Sequence, residues 1–536
     1  MRCIAVAALL LLATPTFAKE KDPAVLAATH GFLYAGFSKG QGTVIAVELQ
    51  KGGKTTLIET QVEAEPISGA QALGTWLPPG QYRLVGWNSW NSNSWKDGPT
   101  FEIQAGRITT LGDFAPVEVG GYLTVLLPIN HAENSVGLST LSQRMAGYLK
   151  DATPLYAYPT QLPPPVVQGM PGMPGQGIVA SLVGTAVAQS NKTPTLEQLK
   201  TERDPVRFLQ LWRSLLPPSF NEAAITADGV AYLGADLGQV RKRSAEGVWS
   251  RIGSDTVRAI TAVEAADGRL ITGSDNGVLR ATRDEGASWS ELHRFDPRET
   301  IVDIDHADGV WVVTTRARFK DPSRKRGLLP PNALSATVRV YVGHSDALND
   351  LSLSKQVELT PVDLSYAMSP SGDIVNGSYY VPITPRMHRL TLSTGEWKDI
   401  TGTHKIGLSH VDPDSEVVTV VGDAGVATKL SMSSQRGDRW IPLERPSYII
   451  HDIQMDTPSE GWALRFNPGF AKGAYELYSY APERNDWTLT ATSPTQCRPM
   501  RMSKRLPVIC VTADARILSQ HGKQWKTEFD TQAAGK

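Results

Sequence analysis

The chain has 536 residues, 41% of them hydrophobic and 20% charged, with a formal net charge of −1 and a pI near 6.8. That is ordinary globular composition, and at ~150 residues per unit it allows about two to four domains. The charge balance argues against nucleic acid or an anionic membrane as partner, because both select a strongly basic face.

The first eighteen residues, MRCIAVAALLLLATPTFA, carry one basic residue, Arg2, then an apolar run from Ile4 to Ala13, and end in Thr16-Phe17-Ala18. This is the layout of a secretory signal peptide, with an apolar part too short to span a bilayer. Cleavage after Ala18 is expected, and with it export to the periplasm or the medium. The competing reading of a buried N-terminal helix is the weaker one. No Cys stands at the cleavage point, so no lipid anchor is expected.

Residues 28–128 read as a first domain made of short strands: GFLYAGF, GTVIAVEL, QYRLVGW and GYLTVLLPI are rich in β-branched and aromatic residues and bounded by Gly and Pro turns. Leu77 to Trp87, LPPGQYRLVGW, resembles the turn-plus-strand of prealbumin-like β-sandwich modules, which implies a small β-sandwich. Residues 129–217 read as a linker. LPPPVVQGMPGMPGQG (162–177) is too dense in Pro and Gly for a regular element. GIVASLVGTAVA (177–188) is well short of the roughly 20 residues a membrane span needs. From Thr195, a candidate N-cap, Leu199, Val206, Leu209, Trp212 and Leu216 recur at helical spacing, until Pro217-Pro218 ends the helix.

From residue 218 to 530 a repeat takes over. Trp249, Trp289, Trp397, Trp440, Trp487 and Trp525 each close a segment, at spacings of 40, 108, 43, 47 and 38. The long gap holds one further unit without Trp, residues 336–359, which makes seven. Within a unit, short strands alternate with DG and Gly-centred turns, and DGVAYLGADLGQV (228–240) aligns with DGRLITGSDNGVL (267–279). Four short strands per ~43 residues is the pattern of a propeller blade. A stacked β-solenoid competes, but seven units can close a ring and so leave few exposed edges. The expected fold class is all-β: a seven-bladed β-propeller preceded by a small β-sandwich and a helical linker.

TRDEGASW (282–289) matches the S/T-x-D-x-G-x-x-W pattern, and SSQRGDRW (433–440), RSAEGVW, LSTGEW and SQHGKQW are worn copies at blade spacing. On these residues the region resembles the seven-bladed Asp-box (BNR-repeat) propellers, a superfamily with sialidase-like and photosystem-assembly-factor-like members. The resemblance implies that Thr282, Asp284, Gly286 and Trp289 build a turn between third and fourth strands and do no chemistry. Asp and Thr would accept backbone N–H groups, Gly would supply a positive φ, and Trp would bury its ring.

An active site is harder to read. A sialidase-like glycoside hydrolase, the alternative function, would need an arginine cluster, a Tyr–Glu nucleophile and an Asp acid/base. The R-I-P motif such enzymes carry is missing from LPPSFNEAAIT, and no catalytic residue is assigned. The ten His form no H-x-H or H-E-x-x-H pattern, so neither metal nor cofactor is expected. DPDSE (412–416) reads as a polar turn, since its spacing is wrong for an EF-hand. Cys497 and Cys510, the two cysteines left after signal cleavage, are expected to pair across two short strands as a disulfide.

A binding or assembly role is the favoured function, with a protein or glycan partner held at one rim. Three loops between second and third strands read as enlarged: 316–336, 378–387 and 465–475. They nominate Arg316, Arg318, Lys320, Arg324, Lys325, Arg326, Tyr379, Tyr380, Arg386 and Arg465 as binding residues. Strand register nominates Arg258, Asp303, Asp363, His410, His451 and Arg498 for the central funnel.

Overall fold

The computed structural model describes residues 22–530 apart from 38–43, 60–71, 89–91, 120–123, 130–137, 139–140, 143–144, 164–193, 218–219, 320–334, 361–370, 384, 402–405, 413–414, 423–429, 434–436, 444–449, 458, 468–473, 494–496, 500–506 and 513–515. The expected signal segment, most of the Pro/Gly-rich stretch and the 177–188 run lie outside these residues.

Two five-stranded sheets form the N-terminal part. One runs in the order Asp151–Tyr156, Arg107–Glu118, Gly31–Phe37, Ala72–Leu77, with Thr124–Pro128 paired onto Arg107–Glu118. The other runs Lys54–Glu59, Val44–Leu49, Gly80–Asn88, Ser92–Ser94, with Thr100–Ile103 on Gly80–Asn88. Both contribute to a single core: Leu33, Phe37, Leu111 and Phe114 from the first meet Ile45, Leu84, Trp87 and Phe101 from the second. The opposite face of Gly31–Phe37 is covered too, because Phe32 and Tyr34 pack with Ala27 of helix α1 (Pro23–Thr29) and with Leu138, Leu141 and Met145. Burial on both sides is why GFLYAGF reads as continuously apolar rather than alternating. Asp151–Tyr156 falls inside the stretch expected to be linker, yet it adds a parallel edge strand to the first sheet.

The single helix expected from 195 is two: α2 (Pro194–Thr201) and α3 (Pro205–Ser214). Asp204 caps α3 by accepting the Val206 and Arg207 N–H groups, with Pro205 in the first turn, a start signal that interrupts the helical spacing. Thr195 accordingly lies inside α2 and is no cap. On α3 the buried residues are Phe208 and Trp212, whereas Val206 faces solvent.

Seven four-stranded antiparallel sheets follow, each with its strands in chain order: blade 1 (222–252), blade 2 (260–294), blade 3 (300–359), blade 4 (373–399), blade 5 (406–443), blade 6 (450–492) and blade 7 (497–530). This is the seven-bladed propeller read from the repeat, and the Trp-less unit is the outer half of blade 3. First strands of successive blades lie against one another, as Glu222–Ile225 does against Ile260–Ala266, and that against Thr300–Ala307. The indole N–H of four blade-closing Trp residues bonds back to the preceding blade or its exit: Trp289 to the Gly253 carbonyl, Trp397 to Ser354, Trp440 to the Ile400 carbonyl and Trp525 to the Thr492 carbonyl. Trp249 of blade 1 bonds to Glu528 of blade 7, where Arg243 also meets Glu528 at 2.6 Å, so the first and last blades join.

α3 and the first sheet dock onto the ring. Ala115, Val117, Val125 and Leu127 share a core with Phe208 and Trp212 and with Leu237 and Val257 of the propeller. Arg213 on α3 donates to the carbonyls of Leu237 and Thr256, and the buried Arg241 of blade 1 donates to the Arg213 and Leu215 carbonyls at the helix end. These bonds satisfy C-terminal carbonyls that the helix itself leaves unpaired.

Candidate functional site

In a four-stranded meander the 1–2 and 3–4 turns share one end of the blade, and the 2–3 loops share the other end with the blade-to-blade connections. Leu237 lies in the 2–3 loop of blade 1, Val257 in the connection to blade 2 and Asp275 in the 2–3 loop of blade 2. The N-terminal sheets therefore sit on the 2–3 end, over blades 1 and 2. Arg258 belongs to this joint. Burial pushes Asp113, on the first sheet, up to about 6; the Arg258 charge pulls it back and Asp275 pushes it further up. Arg258 thus lies within electrostatic reach of the neighbouring module, in the connection that precedes the first strand of blade 2, Ile260–Ala266.

The inner wall of the ring is acidic across blades 1 to 4. Glu222, Glu264, Asp303 with Asp305, and Asp373 come from the first strands of blades 1 to 4. Asp303 is buried and accepts hydrogen bonds from the Gly372 N–H at 2.8 Å, the Tyr379 hydroxyl at 2.6 Å and Ser371 Oγ at 3.3 Å. Burial pushes its carboxyl up to about 7, the Tyr379 bond opposes that, and the Glu222 charge adds to it. Burial also raises Asp305, as do the charges of Asp303, Asp373 and Glu264, and the two neighbouring aspartates are hydrogen-bonded to each other. A pair of carboxyls in contact at low dielectric holds a proton near neutral pH.

Tyr379 and Asp303 were expected in different places, rim and funnel, and the structure joins them. Tyr379 is fully buried, hydrogen-bonded to Asp303 and at 2.8 Å to Thr314 Oγ1. Tyr380 is fully buried too, in a core with Val375, Met387 and Ile400. Neither can touch a partner, which corrects their nomination as binding residues. The 378–387 segment is no enlarged loop either, since Ser378–Ile383 and Arg386–Thr391 are paired strands with Ile383 opposite Arg386. Arg386 is an ion-pair partner of Asp399, and Arg465 of Glu476 at 2.7 Å, with the Arg465 guanidinium over the Tyr478 ring.

Arg316 and Arg318 lie near the 2–3 end of the second strand of blade 3, Val310–Phe319. Both are half-buried, and burial lowers both, Arg316 to about 10 with help from the Arg318 charge. Lys320, Arg324, Lys325, Arg326 and Asp363 lie outside the described residues, as do the side chains of His451 and Arg498. His410 is half-buried on the first strand of blade 5.

TRDEGASW is the 3–4 turn of blade 2, on the end away from the N-terminal sheets. Thr282 Oγ1 donates to Asp284 Oδ1 at 2.7 Å and accepts from the Gly286 N–H at 2.9 Å, while Asp284 accepts from the Ser288 N–H and hydroxyl. The Ser288 and Thr282 bonds hold the Asp284 carboxyl down to about 2. Gly286 has φ +84, and a Cβ there would stand 2.2 Å from the Gly253 carbonyl oxygen. The turn is a wedge against blade 1, reinforced by the Lys242–Glu285 ion pair at 2.6 Å.

No protein-family model and no curated protein matches the chain. Solved structures do. A YCF48 bound to a D1 peptide aligns at 12% identity over 58% of this chain and 93% of its own, with a TM-score of 0.38. YCF48 from Cyanidioschyzon merolae aligns at 12% over 52% and 88%, TM-score 0.37, and the Pyrococcus horikoshii acylaminoacyl peptidase at 12% over 59% and 53%, TM-score 0.40. Likenesses this distant say nothing of activity or ligand.

Two other features stand out. A polar cavity of about 360 Å³ at the seam of blades 1 and 7 is lined by Asp228, Arg243, Glu246, His521, Lys526 and Glu528, and its deepest charges already pair with each other. At the junction of blades 2 and 3, Asp267, His306 and Asp346 bring three potential metal-ligand atoms within 4.8 Å of one another. The sequence hid this group because its members stand about one blade apart. Among the described residues, no helix is long and apolar enough to cross a membrane.

Proposed function

We propose that the chain is an exported recognition protein that binds a protein partner on the 2–3 end of its propeller, beside the N-terminal sheets. The observation that carries this reading is the joint: α3, Arg213 and Arg241 fix the two-sheet module on that same end. The 2–3 end of the propeller and the module then offer one composite face on a rigid base, the arrangement in which recognition elements work best. Arg316 and Arg318 supply positive charge at its edge, and the sequence that follows them carries Lys320, Arg324, Lys325 and Arg326.

In the same reading the two sheets are the expected β-sandwich, TRDEGASW is a structural Asp-box, residues 1–18 are a signal peptide, and Cys497 and Cys510 are bridged. Support for the bridge is that both cysteines lie on paired strands, although not opposite each other as the turn in the sequence suggests. Cys497 stands opposite Thr512 and Pro499 opposite Cys510, so the two cysteines lie on adjacent strands, offset by two residues rather than directly opposed. The sialidase-like alternative gains no support from an inner wall of carboxylates, which would repel an acidic sugar.

Crosslinked capture from the exported fraction tests the proposal. Full-length protein and a 320–333 deletion are compared, and captured partners are re-measured by direct titration. The proposal expects the deletion to weaken binding at least tenfold. Equal affinity for every partner contradicts it.

A further inference from the structure

We propose that Asp267, His306 and Asp346 form a divalent transition-metal site of the zinc class that ties blade 2 to blade 3. The three residues come from the 1–2 turn of blade 2, the end of the first strand of blade 3 and its 3–4 turn. All three lie at the end of the ring away from the N-terminal sheets, so the site is independent of the recognition face.

The geometry is that of a built site. His306 Nε2 is screened from solvent, makes no hydrogen bond, and points at Asp267 Oδ2 from 3.8 Å. A shielded imidazole nitrogen with no partner is costly to leave so, and a metal satisfies it. The ring is held flat against Trp311, centroids 4.1 Å apart and planes 25° from parallel. Trp311 Nε1 in turn donates to Asp346 Oδ1 at 3.4 Å, and Arg269 holds the Asp346 main-chain carbonyl, which fixes the loop that carries the carboxylate. Outer partners of this kind orient ligands before the metal arrives.

Ligand atoms around tetrahedral zinc sit about 2.0–2.2 Å from the ion, hence roughly 3.3–3.5 Å from each other. Closing from 4.8 Å needs a shift of up to about 1.5 Å. Asp267 and Asp346 can make it, as their side chains are 50% and 69% exposed. One imidazole with two carboxylates selects zinc-like ions over calcium or magnesium, which prefer oxygen alone. With three protein ligands the fourth position faces solvent. The Arg269 guanidinium, 3.5 Å from Asp346, is the local competitor for that carboxylate.

The test uses tag-free full-length protein stripped with chelator and titrated calorimetrically with zinc chloride. One equivalent should bind and raise Tm by several degrees. H306Q should weaken zinc at least tenfold and abolish the Tm rise. Because H306Q removes a stacked ring and could disturb folding, D267N and D346N, at exposed turns, provide the second arm and should weaken zinc similarly with an unchanged circular dichroism spectrum. Absence of saturable zinc binding, affinity unchanged in all three variants, or preference for calcium over zinc would each overturn the site.

Discussion

Trp249, in the last strand of blade 1, donates its indole N–H at 2.9 Å to Glu528, in the last strand of blade 7, 279 positions along the chain. Arg243 meets the same carboxylate with two bonds, at 2.6 and 2.8 Å. The side chains of Arg243 and Glu528 are 5% and 6% exposed, so this contact joins first and last blades out of water. Burial alone would raise the Glu528 carboxyl, but its bonds to Arg243, Trp249 and Ser519 more than offset that and hold it below the usual range.

Removing Glu528 leaves a buried guanidinium and an indole N–H without their acceptor. Glu528→Ala is expected to cost about 3–5 kcal/mol, read as a lower urea midpoint. The pair's contribution is present above the unfolded carboxyl value, about 4.3, and fades as pH falls through the depressed folded one. A variant within about 0.5 kcal/mol of wild type would mean the blades are held by apolar packing alone.

Gly286 gives a cleaner probe of the wedge between blades 1 and 2. Gly286→Ala meets both a positive φ and the Gly253 carbonyl, whereas Gly268→Ala, at φ +69 with nothing within 4 Å, meets only the first. The control should cost about 1–2 kcal/mol, and Gly286→Ala clearly more. Equal thermal shifts would show that the backbones part without penalty.

Asp303 makes stability depend on pH in the unusual direction. Its folded value, about 7, lies above the unfolded value near 4. Its contribution is therefore complete below pH 4 and is lost as pH rises through 7. Asp303→Asn keeps the acceptor for Gly372 and Tyr379 and removes the titration, so the fall in Tm between pH 5 and pH 8.5 should shrink relative to wild type. An identical pH profile would place the proton elsewhere.

Much of this architecture was legible in the sequence, and the reasons are local. Each blade carries its own strand pattern, and all but blade 3 a closing Trp, so seven units could be counted without tertiary information. The Asp284 turn was readable because its donors lie within four residues. What the indoles bond to was not readable, since the acceptors are backbone carbonyls or distant side chains. Asp204-Pro205 was a visible helix start that the long apolar spacing concealed. Tyr379 and Tyr380 looked like a rim pair, but they alternate into cores on opposite sides of one strand, which only the register reveals. The acidic wall and the Asp267–His306–Asp346 group each assemble from different blades and leave no motif.

The proposed cysteine bridge has a direct readout. Protein from the exported fraction should show no thiol reactive with Ellman's reagent in denaturant until reductant is added. Two free thiols before reduction would contradict both the bridge and the oxidising compartment.

The most direct test of the account is a hydrogen-exchange footprint of the protein with its captured partner. Protection should fall on the 2–3 end: the peptides spanning 316–336 and 465–475, together with the N-terminal sheets. Protection confined to the 1–2 and 3–4 turns at the opposite end, such as 283–288 and 345–350, would contradict it.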